Sequence, residues 1–324
     1  MDHKDGLKIH KERTPLGVVA VIYESRPNVT IDSASLLVKS GNAAILRGGK
    51  ETIRTNESLM KAVTEALKAA DLPEDSVQCI LSPERALVGE LLALDQYVDM
   101  LIPRGGAGLH EFCRKNSRIP VITGGIGVCH IFLDESADMI RSFEVIRNAK
   151  VQRPTVCNAL ETLLVHQNIA EVVIPDLCEY LSEDGVVMCC DPRAMEILEN
   201  SNISSKFYEE VHDEDYDKEW LSLRLNVKVV DDLAEAIEHI QEHGTGHSDS
   251  ILTEDEDNAN AFVAQVNSAA VYVNCSTRFT DGSELGLGAE IAISTQPLHA
   301  RGPMALRELT TYKWVIRGDY NSRK

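Results

Sequence analysis

No stretch of this sequence is apolar for long enough to cross a bilayer, and Met1-Asp2-His3-Lys4-Asp5 lacks the apolar segment of a secretory signal. The expected compartment is therefore the cytoplasm. Basic residues are few beside acidic ones: 32 Lys and Arg against 51 Asp and Glu leave a net charge of −19. Such a balance opposes loose contact with nucleic acid or an anionic membrane, so neither is an expected partner. It would also repel phosphorylated small molecules, and a ligand of that kind would need a local cationic or amide-lined pocket. The eight cysteines, Cys79, Cys113, Cys129, Cys157, Cys178, Cys189, Cys190 and Cys275, include no CxxC pair and no zinc-type spacing. No metal is expected. Tandem repeats and low-complexity linkers are lacking as well.

What is present is an ordinary globular composition, 44% hydrophobic and 26% charged over 324 residues, enough for two domains with separate cores. From Leu16 onward, short apolar runs alternate with helical patterns: LGVVAVIY, TIDSASLLVKSG, AAIL and a long amphipathic segment from Thr52 to Ala70. SVQCIL, PERALVGELLAL, DMLI, GLHEFCRKN and PVI continue the series. Unbroken apolar strands between helices predict a parallel sheet covered on its faces. A second α/β series follows Asn148-Ala149-Lys150, beginning at LETLLVH and ending at AAVYVN. The acidic stretches His212–Glu219 and Thr253–Asp257 read as solvated loops and helix starts. LKIHKER at the start and YKWVIRG at the end are strand-like and remote from the rest, so they are expected to pair with each other or with another subunit.

Among the cysteines Cys157 is the best placed, because AKVQRPTVCNALETLLVH leads a polar segment containing Pro154 through the cysteine into an apolar run. A chain reversal with exposed backbone N–H groups and nearby Arg153 would favour a thiolate, the form that acts as a nucleophile. A buried cysteine at a domain boundary is the competing reading. AAILRGGKET sets Arg47, Gly48, Gly49 and Lys50 between a strand and a helix, where α/β sheets bind nucleotides. The glycines permit close approach and the two cations suit a phosphate; a tight turn with two solvated bases explains the same residues. Ile102-Pro103-Arg104-Gly105-Gly106 repeats the arrangement.

Taken in order, YESRPNVT, ILRGGKE, MLIPRGGAGLH, NAKVQRPTVCNALETLLVH, VYVNCSTRFTDG, LHARGPM and LTTYKW resemble the γ-glutamyl phosphate reductase (glutamate-5-semialdehyde dehydrogenase) family, from Tyr23 to Trp314. That family belongs to the aldehyde dehydrogenase superfamily. The resemblance implies an α/β, aldehyde dehydrogenase-like fold: residues 1–15 as the first strand of an oligomerisation flap, 16–149 as a Rossmann-like NADP-binding domain, 150–297 as the catalytic domain and 298–324 as a C-terminal segment with the second flap strand. It implies NADPH-dependent reduction of γ-glutamyl 5-phosphate to glutamate 5-semialdehyde in proline biosynthesis, through a thioester on Cys157. A homo-oligomer and glutamate 5-kinase are the partners it suggests.

By the same resemblance Arg47 replaces the superfamily's ribose-binding lysine and Lys50 its ribose-binding glutamate, which suits the 2′-phosphate of NADPH better than NADH. Gly48, Gly49, Pro103, Arg104, Gly105 and Gly106 complete the cofactor turns, and Glu219 corresponds to the glutamate that holds the nicotinamide ribose. Asn28 is the expected oxyanion side chain, with Arg26 its alternative; Arg26, Arg153, Asn158 and Arg278 are the expected substrate ligands. Val121-Ile122-Thr123-Gly124-Gly125 stands where water-using relatives carry a glutamate base, and apolar Ile122 there fits an enzyme that must spare its thioester from hydrolysis. Family members carry an N-terminal helical segment ahead of the point where this chain begins. Two rival functions follow: an acyl-CoA-forming aldehyde dehydrogenase, and a noncatalytic member that keeps the fold.

Overall fold

The computed structural model describes residues 6–124 and 126–322. The chain divides into two compact units, one built from 6–123, 287–293 and 303–322 and the other from 124–286 and 294–302.

In the first unit, β1 (Lys8–Pro15), β2 (Val18–Tyr23), α1 (Asn28–Lys39), β3 (Ala43–Arg47), α2 (Ile53–Ala69), β4 (Val77–Cys79), α3 (Ala86–Leu92), β5 (Met100–Arg104) and α4 (Ala107–Asn116) follow one another. Four of the strands form a parallel sheet in the order β4-β3-β2-β5. Central β2 has no solvent face: Val19 through Tyr23 are at most 2% exposed, which is why VVAVIY shows no alternation. Ala20, Ile22 and Leu101 of this sheet pack on Val88, Leu91 and Leu92 of α3. Pro103 lies within β5, opposite Ile22, and not in the turn after it; β5 ends the sheet's order, where a missing N–H is tolerated. PVI contributes a single bridge, Leu101 to Val121, in place of a full strand.

The two remote terminal segments do pair with each other. β1 runs antiparallel to the last strand, Thr310–Arg317, from Lys8 opposite Arg317 to Pro15 opposite Thr310. Lys11 Nζ lies 4.2 Å from the Tyr312 ring centre and 4.7 Å from that of Trp314, and both rings remain half exposed.

The second unit holds β6 (Cys129–Leu133), α5 (Met139–Val151), β7 (Leu160–His166), α6 (Gln167–Ser182), β8 (Val187–Cys190), α7 (Pro192–Glu199), β9 (Tyr208–Glu210), β10 (Arg224–Val230), α8 (Leu233–His243), β11 (Ser248–Leu252), α9 (Glu256–Gln265) and β12 (Ala270–Val273). Its seven-stranded parallel sheet has the order β12-β11-β6-β7-β10-β8-β9. Residues 124–149, grouped by sequence with the cofactor domain, thus lie in this unit, because β6 enters its sheet between β11 and β7. Several of the chain's many acids serve as helix caps: Asp138, Asp191, Asp232 and Asp255 accept first-turn N–H groups of α5, α7, α8 and α9. Among the described residues no helix is long and apolar enough to cross a membrane.

Candidate active site

Pro154 cannot continue α5, and the chain leaves that helix into the loop 152–159, where the Ala159 N–H donates to Val156 O at 3.0 Å and turns the backbone around Cys157. Cys157 is partly exposed, whereas Cys113, Cys129, Cys178, Cys189 and Cys190 are buried. Burial pushes the thiols of Cys113 and Cys178, and that of the partly exposed Cys79, up to about 11. Thiols held protonated in this way make poor nucleophiles.

The backbone of Cys157 is gripped from below. Gly127 lies so close that a Cβ on it would overlap the Cys157 carbonyl group and stand 3.1 Å from its Cα. The Gly127 N–H donates to Glu219 Oε1 at 2.7 Å, which brings Glu219 to the loop that carries Cys157. Burial raises the Glu219 pKa and that N–H lowers it. Cys129 Sγ donates to Cys157 O at 3.3 Å and lies 3.9 Å from His247 Nδ1. From His247 the polar contacts run through Ser248 Oγ (2.7 Å) to Thr280 Oγ1 (2.6 Å), which Tyr272 OH also reaches at 2.8 Å.

Asn158, expected at the substrate, is 4% exposed and spends its amide N–H groups on Arg278 O (3.3 Å) and Thr280 O (3.0 Å). Thr277 Oγ1 returns a bond to Asn158 O at 2.7 Å. These bonds fasten the Cys157 loop to the turn that bears Arg278; only Oδ1 of the Asn158 amide is buried without a partner. Arg278 Nε donates to Gln152 Oε1 at 2.8 Å, and burial lowers its pKa while the Cys157 thiol raises it and Arg153 lowers it. The second unit therefore gathers Cys157, Asn158, Arg153, Arg278 and Glu219. Gly127, Cys129 and Gln152 were not picked out by sequence, although the glycines of GGIG were a visible signal for the first.

The first unit carries the two glycine turns at the carboxyl ends of β3 and β5, the edge at which α/β sheets bind ligands. A Cβ on Gly48 would stand 3.0 Å from the Tyr23 ring, and one on Gly49 2.8 Å from Ser25 Oγ and 2.9 Å from Glu51 Oε2. Arg47 Nε is buried without a partner, while Lys50 is exposed. Glu51 was not foreseen: its carboxylate accepts from Ser25 Oγ at 2.8 Å, and its pKa is lowered by its own backbone N–H, then by Ser25, then by Lys50 and Arg47. At the second turn a Cβ on Gly105 would stand 2.6 Å from the Glu24 carboxyl, and the Gly106 N–H donates to Glu24 Oε1 at 3.1 Å. Arg104 closes β5 before these glycines. An orphaned guanidinium nitrogen beside glycines that let backbone approach closely fits a phosphate-bearing cofactor.

Arg26 is exposed, and Asn28 opens α1 with its amide donating to Asp32 Oδ2 at 3.1 Å. Ile122 is 5% exposed and its N–H donates to Leu101 O at 2.9 Å. Gly125 of the VITGG segment lies outside the described residues. Among the described residues, no group of three or more His, Cys, Asp or Glu side chains is placed to hold a metal.

Residues 2–196 match the family model of the aldehyde dehydrogenase family. The chain is 60% identical over 314 residues to the γ-glutamyl phosphate reductase of Klebsiella pneumoniae (strain 342), covering 97% of this chain and 75% of that protein. It superposes on the crystal structure of γ-glutamyl phosphate reductase from Thermotoga maritima with a TM-score of 0.96 at 48% identity, over 100% of this chain and 77% of that one. An acetylating aldehyde dehydrogenase from Geobacillus thermoglucosidasius shares the fold, with a TM-score of 0.76 at 21% identity over 98% of this chain and 78% of that one.

Proposed function

We propose a reaction for this chain on one premise: it belongs to the aldehyde dehydrogenase family and, within it, to the γ-glutamyl phosphate reductases. It is an oxidoreductase that reduces γ-glutamyl 5-phosphate to glutamate 5-semialdehyde with release of phosphate, the second step of proline biosynthesis from glutamate. The observation that carries the residue assignment is the setting of Cys157, a partly exposed thiol on a gripped loop with Arg278 in electrostatic reach.

In this reading the Cys157 thiolate attacks the γ-carbonyl, a C–S bond forms and the C–O bond to phosphate breaks. NADPH, when bound, supplies the hydride that reduces the thioester. The Cys157 backbone N–H steadies the resulting oxyanion, and the family resemblance assigns Asn28 as its side-chain donor, with Arg26 as the alternative. Collapse then breaks the C–S bond and frees the aldehyde and the thiolate. Arg278 and Arg153 suit the substrate's anionic groups.

NADPH is preferred to NADH because Arg47 and Lys50 favour a 2′-phosphate, with Gly48, Gly49, Gly105 and Gly106 shaping the cofactor turns, Pro103 and Arg104 leading into the second of them from β5, and Glu219 holding the nicotinamide ribose. We assign the paired strands within residues 1–15 and 298–324 to a homo-oligomer, and glutamate 5-kinase as supplier of the labile acyl phosphate. Cys157→Ala should abolish phosphate-dependent NADP reduction by the semialdehyde while NADPH still binds, whereas Cys189→Ala should be nearly silent. Turnover in the Cys157 variant would overturn the covalent route, and CoA-dependent turnover exceeding phosphate-dependent turnover would favour the acyl-CoA-forming alternative.

A further inference from the structure

One ion pair in the second unit is sealed from water and flanks the nucleophile in sequence, Lys150 before Cys157 and Glu161 after it. Lys150 and Glu161 are both 0% exposed, with Lys150 Nζ 2.7 Å from Glu161 Oε2 and donating also to Leu160 O at 2.9 Å. Fully buried ion pairs seldom improve stability over apolar residues of the same volume, so this one invites a reason other than holding the fold.

Its place in the sheet supplies one. Between β6 and β7 the register slips: Cys129 faces Leu160, but the next residue, His130, faces Thr162. Glu161 is therefore the extra residue of a β-bulge, a device that re-aims a side chain and recurs beside active sites. Without the bulge β7 would pair evenly with β6; with it, the Glu161 carboxylate meets Lys150 in the last turn of α5. Lys150 and Glu161 thus bracket the loop 152–159 and tie its two ends together across Cys157.

The same carboxylate reaches the segment that carries Glu219. Burial pushes the Glu161 pKa up to about 7, against which Lys150 and then the backbone N–H groups of Leu221 and Trp220 lower it; Oε1 has no partner at full hydrogen-bond geometry. Leu221 holds a φ of 50°, a left-handed conformation that a residue with a branched side chain seldom adopts unless its surroundings impose it. Two residues earlier, Glu219 accepts the N–H of Gly127, the glycine pressed against the Cys157 carbonyl. Lys150 and Glu161 hold the two ends of the Cys157 loop, and the 219–221 segment beside Glu161 carries the carboxylate that binds Gly127 under the Cys157 carbonyl, so chain and contacts together close a circuit.

We propose that Lys150 and Glu161 are positioning residues, which fix the Cys157 loop and the Glu219 segment relative to one another so that thiol and carboxylate keep one geometry. Neither touches the reacting atoms. The inference rests on Cys157 being the nucleophile.

The test is Lys150→Met/Glu161→Met, which preserves volume and leaves no buried charge alone. The double variant of the full chain should melt at or above the wild-type temperature. Its kcat for phosphate-dependent oxidation of the semialdehyde should fall by about tenfold or more, and its KM for NADP should rise more than its KM for the semialdehyde, since Glu219 is released. Peptide-resolved alkylation of Cys157 by iodoacetamide, followed against pH, should shift by about threefold or more in rate at a given pH. A merely structural pair would change the melting temperature and leave both kinetic readouts alone. A folded double variant with wild-type kcat, KM values and alkylation profile would overturn the proposal. If the wild type itself lacked phosphate-dependent turnover, the proposed reaction would fail, and the alkylation profile alone would then decide for or against the positioning pair. Should the double variant not fold, Glu161→Gln, nearly the same in shape, takes the same measurements with the same criteria.

Discussion

Replacing Gly127 by alanine should cripple catalysis while leaving most of the fold intact. The added methyl group would occupy the Cys157 carbonyl, and its nearest remaining neighbour would be the Cys157 Cα at 3.1 Å. To restore ordinary carbon contact, one of the two backbone segments must retreat by roughly 1–2 Å. Displacements on the order of 1 Å at a reacting group cost about 10²-fold in rate. Movement of Gly127 also weakens its N–H bond to Glu219, a bond to a charged acceptor worth about 1.5–3 kcal/mol, or roughly another tenfold to hundredfold where Glu219 contributes to turnover. The expected loss in kcat/KM is therefore about 10²–10⁴-fold. Global stability should change less, since the strain falls on a loop next to the thiol and not on the sheet cores. The assay is NADP reduction by glutamate semialdehyde and phosphate, beside a urea melt and cofactor titration. A well-folded Gly127→Ala chain with kcat/KM within about threefold of wild type would refute the premise that the Cys157 carbonyl must rest against a bare glycine.

Two further outcomes are expected. Lys50→Glu should lower the ratio of kcat/KM for NADPH over NADH by about tenfold or more, because a carboxylate replaces the exposed cation beside Arg47 in a turn that already holds Glu51; an unchanged ratio would remove Lys50 from the cofactor site. His239, buried among Tyr216, His130 and His243 and 3.2 Å from Lys228 Nζ, has its pKa pushed down to about 2, chiefly by burial. An imidazole with a depressed folded pKa contributes stability above its unfolded pKa, near 6.5, and loses it as pH falls towards the folded value. Between pH 6.5 and 4.5 that amounts to about 1.4 kcal/mol per pH unit, so His239→Gln should flatten the pH dependence of urea unfolding over this window. An unaltered slope would mean that His239 is protonated in the folded chain.

The elements were legible wherever the cause of structure was local. VVAVIY read as a buried strand because both of its faces are covered, and the segment from Thr52 to Ala70 read as amphipathic because α2, Ile53–Ala69, has one buried side. The border between the units was harder to see. Asn148-Ala149-Lys150 marked the border between the two series in the sequence, yet α5 runs through it to Val151, and its lysine is wholly buried. The carboxylate of Glu161 and the carbonyl of Leu160, both in a strand further along the sequence, satisfy the buried lysine there.

The site follows the same division between local and distant causes. Cys157 could be singled out because Pro154, Arg153 and the apolar run after it are its immediate neighbours. Gly127 showed only as one of the glycines of GGIG, since its particular requirement arises from a carbonyl thirty residues away in number but adjacent in space. Asn158 was expected at the substrate by resemblance, and in the structure its amide N–H groups hold the 276–280 turn, another contact between segments far apart in sequence. Charge behaves likewise: a net of −19 argues against binding phosphates, but Arg47 and Arg278 sit where burial weakens screening by solvent and where the local sign, not the total, decides what a ligand meets. An acidic surface and local cationic sites are thus compatible, because long-range repulsion between exposed charges is screened within about 8–10 Å at ordinary ionic strength while a partly buried guanidinium acts at contact.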